Sequence, residues 1–192
     1  QLLLEEFYRT ALYVAGRYPV WWLVPPESED DYTAFVKNLL DRRFVDRNDV
    51  IDFGGLESVP AEEFLGASFW HLYKAIDSPY KSLLKLMLME SYVDEYPHSK
   101  WAALKLKKQL YDGVTDPNKL DAYLILYNVL EDYLIKRNEP KRLELMRYCF
   151  YNKLNELGSA SRAVKKDNWR QDVLNKLLTS WAPLPAYISD SI

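Results

Sequence analysis

From Leu83 to Met89 the chain reads Leu-Leu-Lys-Leu-Met-Leu-Met, which puts apolar side chains on almost every side of one helix. A helix that is apolar all round has to be buried. The turns just before it are different. On an ideal helix, at about 100° per residue, Ser78, Lys81, Ser82 and Lys85 fall within an arc of about 100° and form one polar stripe. Asp77-Ser-Pro-Tyr80 is a start signal and Pro97 a breaker, so the spacing predicts a helix from Pro79 to about Glu95. Its first half offers lysines and hydroxyls, and its second half holds them on a firm support.

The rest of the chain is mostly helical in pattern. Leu2 to Ala15 carries Leu3, Leu4, Phe7, Tyr8, Ala11 and Val14 at helical spacing before Gly16. Tyr18 to Val24 reads as a short extended segment closed by Pro25-Pro26, and the acidic cluster Glu27 to Asp31 caps a helix from about Asp31 to Arg43. Asp52-Phe-Gly-Gly55 is a loop too short in glycine for a phosphate loop. A helix follows from Pro60 to about Ile76, with Glu62 and Glu63 favourable at its start. Trp101 to Tyr111, Leu120 to Lys136, Pro140 to Leu157 and Trp169 to Trp181 continue the series, with Asp112-Gly113 and Leu157-Gly158 as helix ends. Ser159 to Asn168 is polar and is expected to be a mobile loop. The predicted class is all-α, an irregular bundle of about eight helices with at most one short extended segment. Residues 1–182 are read as one helical region and 183–192 as a tail or the start of a linker.

Composition removes several functional classes. The 192 residues are 48% hydrophobic and include 6 Trp and 15 Tyr, enough for a core built on large amphipathic rings. A formal charge of -3 argues against a general nucleic-acid binder, which needs a basic excess. Cys149 is the sole cysteine, so no internal disulfide is possible and a reducing cytoplasm is the expected location. No apolar run reaches about 18 residues, so no membrane-spanning helix is expected. The chain opens on Gln1 directly into a helical pattern, and a piece of a longer protein is therefore expected.

The stripe has two readings. Free N–H groups at a helix start, the positive dipole end, two hydroxyls and two ammonium groups one turn apart suit a phosphate, with Lys74 as a third charge. Alternatively, Lys81 and Lys85 are the solvated face of a core helix, ion-paired with Asp77 or Glu90. Other constellations carry less. His71 and His98 lie in no metal-ligand motif, and His71 reads as a packed, hydrogen-bonded histidine. The carboxylates at Glu29-Asp30-Asp31, Glu62-Glu63 and Asp94-Glu95 are explained as well by capping or solvation as by chemistry. Ser78, Ser82 and Ser159 lack a base for nucleophilic catalysis. Cys149 reads as a buried structural thiol. Trp21-Trp22 is a core staple or an aromatic wall for a purine base. Arg147 with Lys153 is a second basic pair, which interior packing with snorkelling cations explains.

Six blocks occur in a fixed order: Leu2-Leu-Leu-Glu-Glu-Phe-Tyr-Arg-Thr-Ala11, Trp21-Trp-Leu-Val-Pro-Pro26, Asp52-Phe-Gly-Gly-Leu56, Pro60-Ala-Glu-Glu-Phe-Leu-Gly-Ala67, Trp70-His-Leu-Tyr-Lys-Ala-Ile-Asp-Ser-Pro-Tyr-Lys81 and Arg147-Tyr-Cys-Phe-Tyr-Asn-Lys153. Together they resemble the class I adenylate cyclases of gamma-proteobacteria, from Leu2 to about Trp181. The resemblance implies a cytoplasmic enzyme that converts ATP to 3′,5′-cyclic AMP and pyrophosphate, with its Gly-Ser pair and metal-binding aspartates on a nucleotidyltransferase sheet ahead of this chain. It implies no catalytic residue and no metal ligand here, and Mg²⁺ held outside this stretch. Lys74, Ser78, Lys81, Ser82 and Lys85 would then face the ATP phosphates. Expected partners are ATP, the upstream sheet, the carboxy-terminal regulatory half of the same chain and a sugar-phosphotransferase component, with no nucleic acid. The other reading open under this resemblance is a helical regulatory or interaction module with no direct ATP contact.

Overall fold

The structure is a computed structural model that describes residues 2–160 except 12, 57, 58, 100 and 118, together with residues 174, 175, 178 and 179. Seven α-helices are present among the described residues: α1 (Leu2–Thr10), α2 (Tyr32–Asp41), α3 (Ala61–Lys74), α4 (Pro79–Asp94), α5 (Ala102–Tyr111), α6 (Ala122–Lys136) and α7 (Pro140–Ala160). Two-residue strands β1 (Tyr18–Pro19) and β2 (Val50–Ile51) pair in parallel, Tyr18 with Val50 and Pro19 with Ile51. The predominantly helical class expected from the spacing is the one observed. Most of the eighth expected helix, Trp169 to Trp181, lies outside the described residues, as do most of the expected loop from Ser159 to Asn168 and all of residues 183–192.

Some boundaries differ, for local reasons. The first helix stops at Thr10 and not at Ala15, because Ala15 (φ 50°) and Gly16 (φ 80°) make a tight left-handed turn. Val14 and Arg17 exchange both backbone hydrogen bonds across that turn, at 2.7 and 2.9 Å. The extended segment before Pro25 shortens to β1, since Pro19 has no N–H to give a ladder and Val20–Leu23 winds into a 3₁₀ turn. The end expected at Leu157-Gly158 is absent: α7 continues to Ala160. Elsewhere the end signals hold. Gly113 (φ 79°) closes α5 with Gly113 N–H to Leu110 O and Val114 N–H to Gln109 O, and Asn138 (φ 55°) closes α6 in the same way. Asp121 caps α6 by accepting from the N–H groups of Tyr123 and Leu124 at 2.8 and 3.2 Å.

The chain divides into two compact units, one of residues 1–67 with 92–125 and the other of residues 68–91 with 126–192. The first is built around aromatic rings with polar tips. Tyr8 and Trp21 are fully buried and stack at 4.3 Å with planes 6° apart. The Tyr8 hydroxyl donates to the carbonyl of Gly54 at 2.6 Å, and Tyr32 donates to Asp52 at 2.6 Å. Gly55 is needed for this approach, because a Cβ there would lie 3.0 Å from the Tyr32 ring and 3.3 Å from a Glu29 oxygen. Glu29 accepts from Trp21 Nε1 and Leu56 N–H, both at 2.8 Å, and pairs with the fully buried Lys107 at 3.2 Å. Lys107 Nζ also sits 4.0 Å from the Trp21 ring centroid.

In the second unit the apolar half of α4 is buried as its sequence demands: Leu84, Met87, Leu88 and Met89 are each at most 7% exposed. Burying each such side chain contributes about 1.5–3 kcal/mol, so these few residues outweigh any surface ion pair on the same helix. Leu126, Tyr127, Leu130 and Leu134 of α6 and Met146, Cys149, Phe150 and Leu154 of α7 are buried in this unit too. Polar contacts join the three helices. Glu90 of α4 binds Arg142 of α7 through both oxygens and accepts from the Tyr133 hydroxyl of α6 at 3.2 Å.

Candidate functional site

Lys74 and the four residues of the predicted stripe all fall in the second unit, at the end of α3, just before α4 and in its first two turns. Lys74 is the last residue of α3. Its carbonyl accepts from Asp77 N–H at 3.2 Å and Ser78 N–H at 3.0 Å, so the turn between the helices is closed by backbone bonds. Ser78 immediately precedes Pro79, and the Ser78 carbonyl receives the first helical bond from Ser82 N–H at 3.0 Å. A proline at the first helical position loses no bond there. From Ser78 to Lys85 the stripe runs about 10 Å along the helix axis.

Burial separates the two readings of the stripe. Ser82 is 3% and Lys85 7% exposed, so the solvated-face reading fails for Lys85. Ser78, Lys81 and Lys74 are half-buried. The stripe therefore enters the interior as α4 proceeds, with its open end at the helix N-terminus, where the backbone dipole favours negative charge. Tyr80, beside the stripe, packs edge-on against Tyr148 of α7 at 5.7 Å between centroids. Lys74 Nζ lies 5.3 Å from the centroid of the Trp70 ring, one turn back on α3.

The remaining candidates resolve into structural roles. Trp21 is fully buried against Tyr8, which makes it a core staple and removes it as a wall for a base. Arg147 is ion-paired with Glu131 at 2.9 Å, and Tyr127 donates to the same carboxylate. Cys149 is buried, and that burial pushes its thiol up to about 11. His98 is exposed and His71 half-buried. Glu29 is a buried acceptor in the first unit, while Glu62 and Asp94 are exposed. The side chain of Ser159 is outside the described ones. Among the described residues no group of three or more His, Cys, Asp or Glu side chains is gathered as a metal site.

Two features were not legible in the spacing. Glu5, Arg9, Glu29 and Lys107 are charged residues at most 6% exposed, and helical spacing does not mark them as buried. Conversely Trp70 and Tyr73, large rings on α3, are 56% and 62% exposed. Their signal in the sequence is the i,i+3,i+4 relation of Trp70, Tyr73 and Lys74 just ahead of the stripe.

The chain is mostly helical and presents lysines and serines at a helix start, and comparison with known proteins gives its family. The family model described as adenylate cyclase, class-I, second domain matches residues 59–190, and that of the adenylate cyclase NT domain matches residues 1–22. The chain belongs to the class-I adenylate cyclase family. It is 43% identical over 180 residues to the adenylate cyclase of Salmonella typhimurium, and 42% identical over 180 residues to those of Yersinia intermedia and Escherichia coli K12. Each alignment covers 94% of this chain and 21% of the relative, so the chain spans about a fifth of the length of these curated relatives. No solved structure matches it. Among the described residues no helix is long and apolar enough to cross a membrane.

Proposed function

We propose that this chain is a helical nucleotide-binding part of an adenylate cyclase that converts ATP to 3′,5′-cyclic AMP and pyrophosphate. The observation that carries the reading is the stripe at the start of α4, with Ser78 and Lys81 at its open end and Ser82 and Lys85 buried behind them. Lys74, Ser78 and Lys81 meet the triphosphate, and Lys85 adds positive potential from within. Ammonium groups held on a rigid helix offset the charge that grows on the departing pyrophosphate, and the N–H groups at the start of α4 act in the same sense. No carboxylate cluster of the described residues suits Mg²⁺. The ion is assigned to aspartates on the upstream nucleotidyltransferase sheet, where it would act as a Lewis acid. On this reading the partners are ATP, that sheet and the carboxy-terminal regulatory half, with a sugar-phosphotransferase component as regulator and the cytoplasm as the site of action.

The test is equilibrium binding of a non-cyclisable ATP analogue to the intact polypeptide. Saturable binding that weakens about ten-fold in Lys81→Ala is expected for loss of one charge-assisted phosphate contact. Unchanged affinity in that variant defeats the proposal. A second reading, a regulatory or protein-interaction module, is favoured by Phe69, Leu72 and Ile76, which are 69%, 55% and 80% exposed on and just after α3. It predicts no nucleotide binding and saturable binding of another part of the full-length protein.

A further inference from the structure

We infer that Trp70 and Tyr73 form a stacking platform for the purine base of the nucleotide whose phosphates lie on the Ser78–Lys81 stripe. The inference rests on the phosphate reading of that stripe and adds the element it lacks, a place for the base.

Trp70, Tyr73 and Lys74 fall within about 100° of one another on α3 and so share a face. The two rings lie 5.9 Å apart between centroids and are tilted by 33°, close enough to act as one aromatic surface. Both are more than half exposed, an expensive position for indole and phenol rings that have no solvent role. Lys74 connects this surface with the stripe. Its ammonium stands 5.3 Å from the Trp70 centroid, which holds the ring by a cation–π contact. Its carbonyl is 3.0 Å from the N–H of Ser78, where the stripe begins. Aromatic surface, cation and phosphate donors thus follow one another along a single continuous segment of the second unit. A purine ring is large and flat, and it stacks on indole without needing directional bonds. The same segment leaves selection between adenine and guanine to groups elsewhere, because stacking alone is tolerant of base identity.

Steady-state kinetics of the intact enzyme test this, with inorganic tripolyphosphate as an inhibitor that has the charge but no base, and adenosine as one that has the base but no charge. Trp70→Leu is expected to raise KM for ATP about ten-fold with kcat within about two-fold, whereas Trp70→Phe, which keeps a ring, stays within about three-fold of the original. Inhibition by adenosine weakens in Trp70→Leu, and inhibition by tripolyphosphate does not. An unchanged KM in both Trp70→Leu and Tyr73→Ala overturns the platform. So does equal weakening of tripolyphosphate and ATP in Trp70→Leu, since the ring then acts only by positioning Lys74. Loss of binding to another protein segment with nucleotide kinetics intact also overturns it and makes the face a macromolecular contact. Lys81→Ala separates the two claims: undiminished tripolyphosphate inhibition there defeats the phosphate reading, while the adenosine result still reports on the ring.

Discussion

Glu5 of α1 accepts a hydrogen bond from the backbone N–H of Ala103 at 3.1 Å, 98 residues further along the chain. Ala103 is in the first turn of α5, whose preceding residue, Trp101, supplies no side-chain cap. The Tyr92 hydroxyl donates to the same Glu5 oxygen at 3.1 Å and accepts from Ala102 N–H at 3.0 Å. A remote carboxylate and a remote phenol therefore satisfy the orphan donors that a local Ser or Asp would ordinarily take.

Glu5 also lies 3.4 Å from Arg9, whose side chain is 4% exposed. Replacing Glu5 by Ala leaves a buried cation, the Ala103 N–H and the Tyr92 hydroxyl without their acceptor. A loss of about 3–5 kcal/mol is expected by chemical denaturation, the range for breaking one partner from a buried pair. A loss below about 1 kcal/mol, the scale of a surface pair, would show that water replaces Glu5.

Lys107 tests buried charge in another way. Burial lowers its pKa below the ordinary lysine value, and Glu29 opposes that shift. For a base whose folded pKa lies below its unfolded one, the unfolded chain holds the extra proton between the two values, so stability rises with pH through that window. The Lys107 contribution should thus become more favourable as pH climbs through the window between its lowered folded pKa and the ordinary lysine value. Lys107→Met alone leaves Glu29 buried without its cation and should cost about 3 kcal/mol, while Lys107→Met with Glu29→Gln recovers most of it. A double-variant loss equal to the sum of the two single-variant losses would mean that the pair has no net coupling.

The two lysines of the stripe should separate experimentally. Lys81 is half-buried and Lys85 is 7% exposed. Lys81→Ala is expected to reduce cyclase turnover with a melting temperature within a few degrees of the original. Lys85→Ala should lower both, since it removes a packed stem as well as a charge, at a cost of about 1–3 kcal/mol. A Lys85→Met variant keeps the stem, so activity lost with stability recovered marks the charge as the functional part.

Cys149 should resist alkylation in the folded chain. Its thiol is buried and its pKa is raised by that burial from 9.0 to about 11. The folded state holds the proton more tightly, so the associated stability is complete below pH 9 and declines as pH rises towards 11. Mass-spectrometric labelling with iodoacetamide at pH 8 should modify Cys149 only under unfolding conditions, and rapid native labelling would contradict its burial.

Most of the fold was written in local pattern. The all-round apolar run after Lys85 demanded a buried helix, and Pro79, Gly113 and Asp121 mark starts and stops through bonds made within a few residues. The polar stripe was equally legible, because it depends only on the period of one helix. The early end of α1 was harder to read, because it depends on Ala15 taking a left-handed conformation that alanine seldom adopts.

The sequence by itself determined the helical class, the order of the helices and the shared face of Ser78, Lys81, Ser82 and Lys85. Only the tertiary structure decided which of those residues stay half-open and which are buried, that Trp21 is core, and that Trp70 and Tyr73 are exposed. It alone paired Glu5 with α5 and Glu29 with Lys107. The physical reason is range. Helical periodicity and capping act over one turn of chain, whereas the burial of a charge is set by a partner brought from as far as 98 residues away.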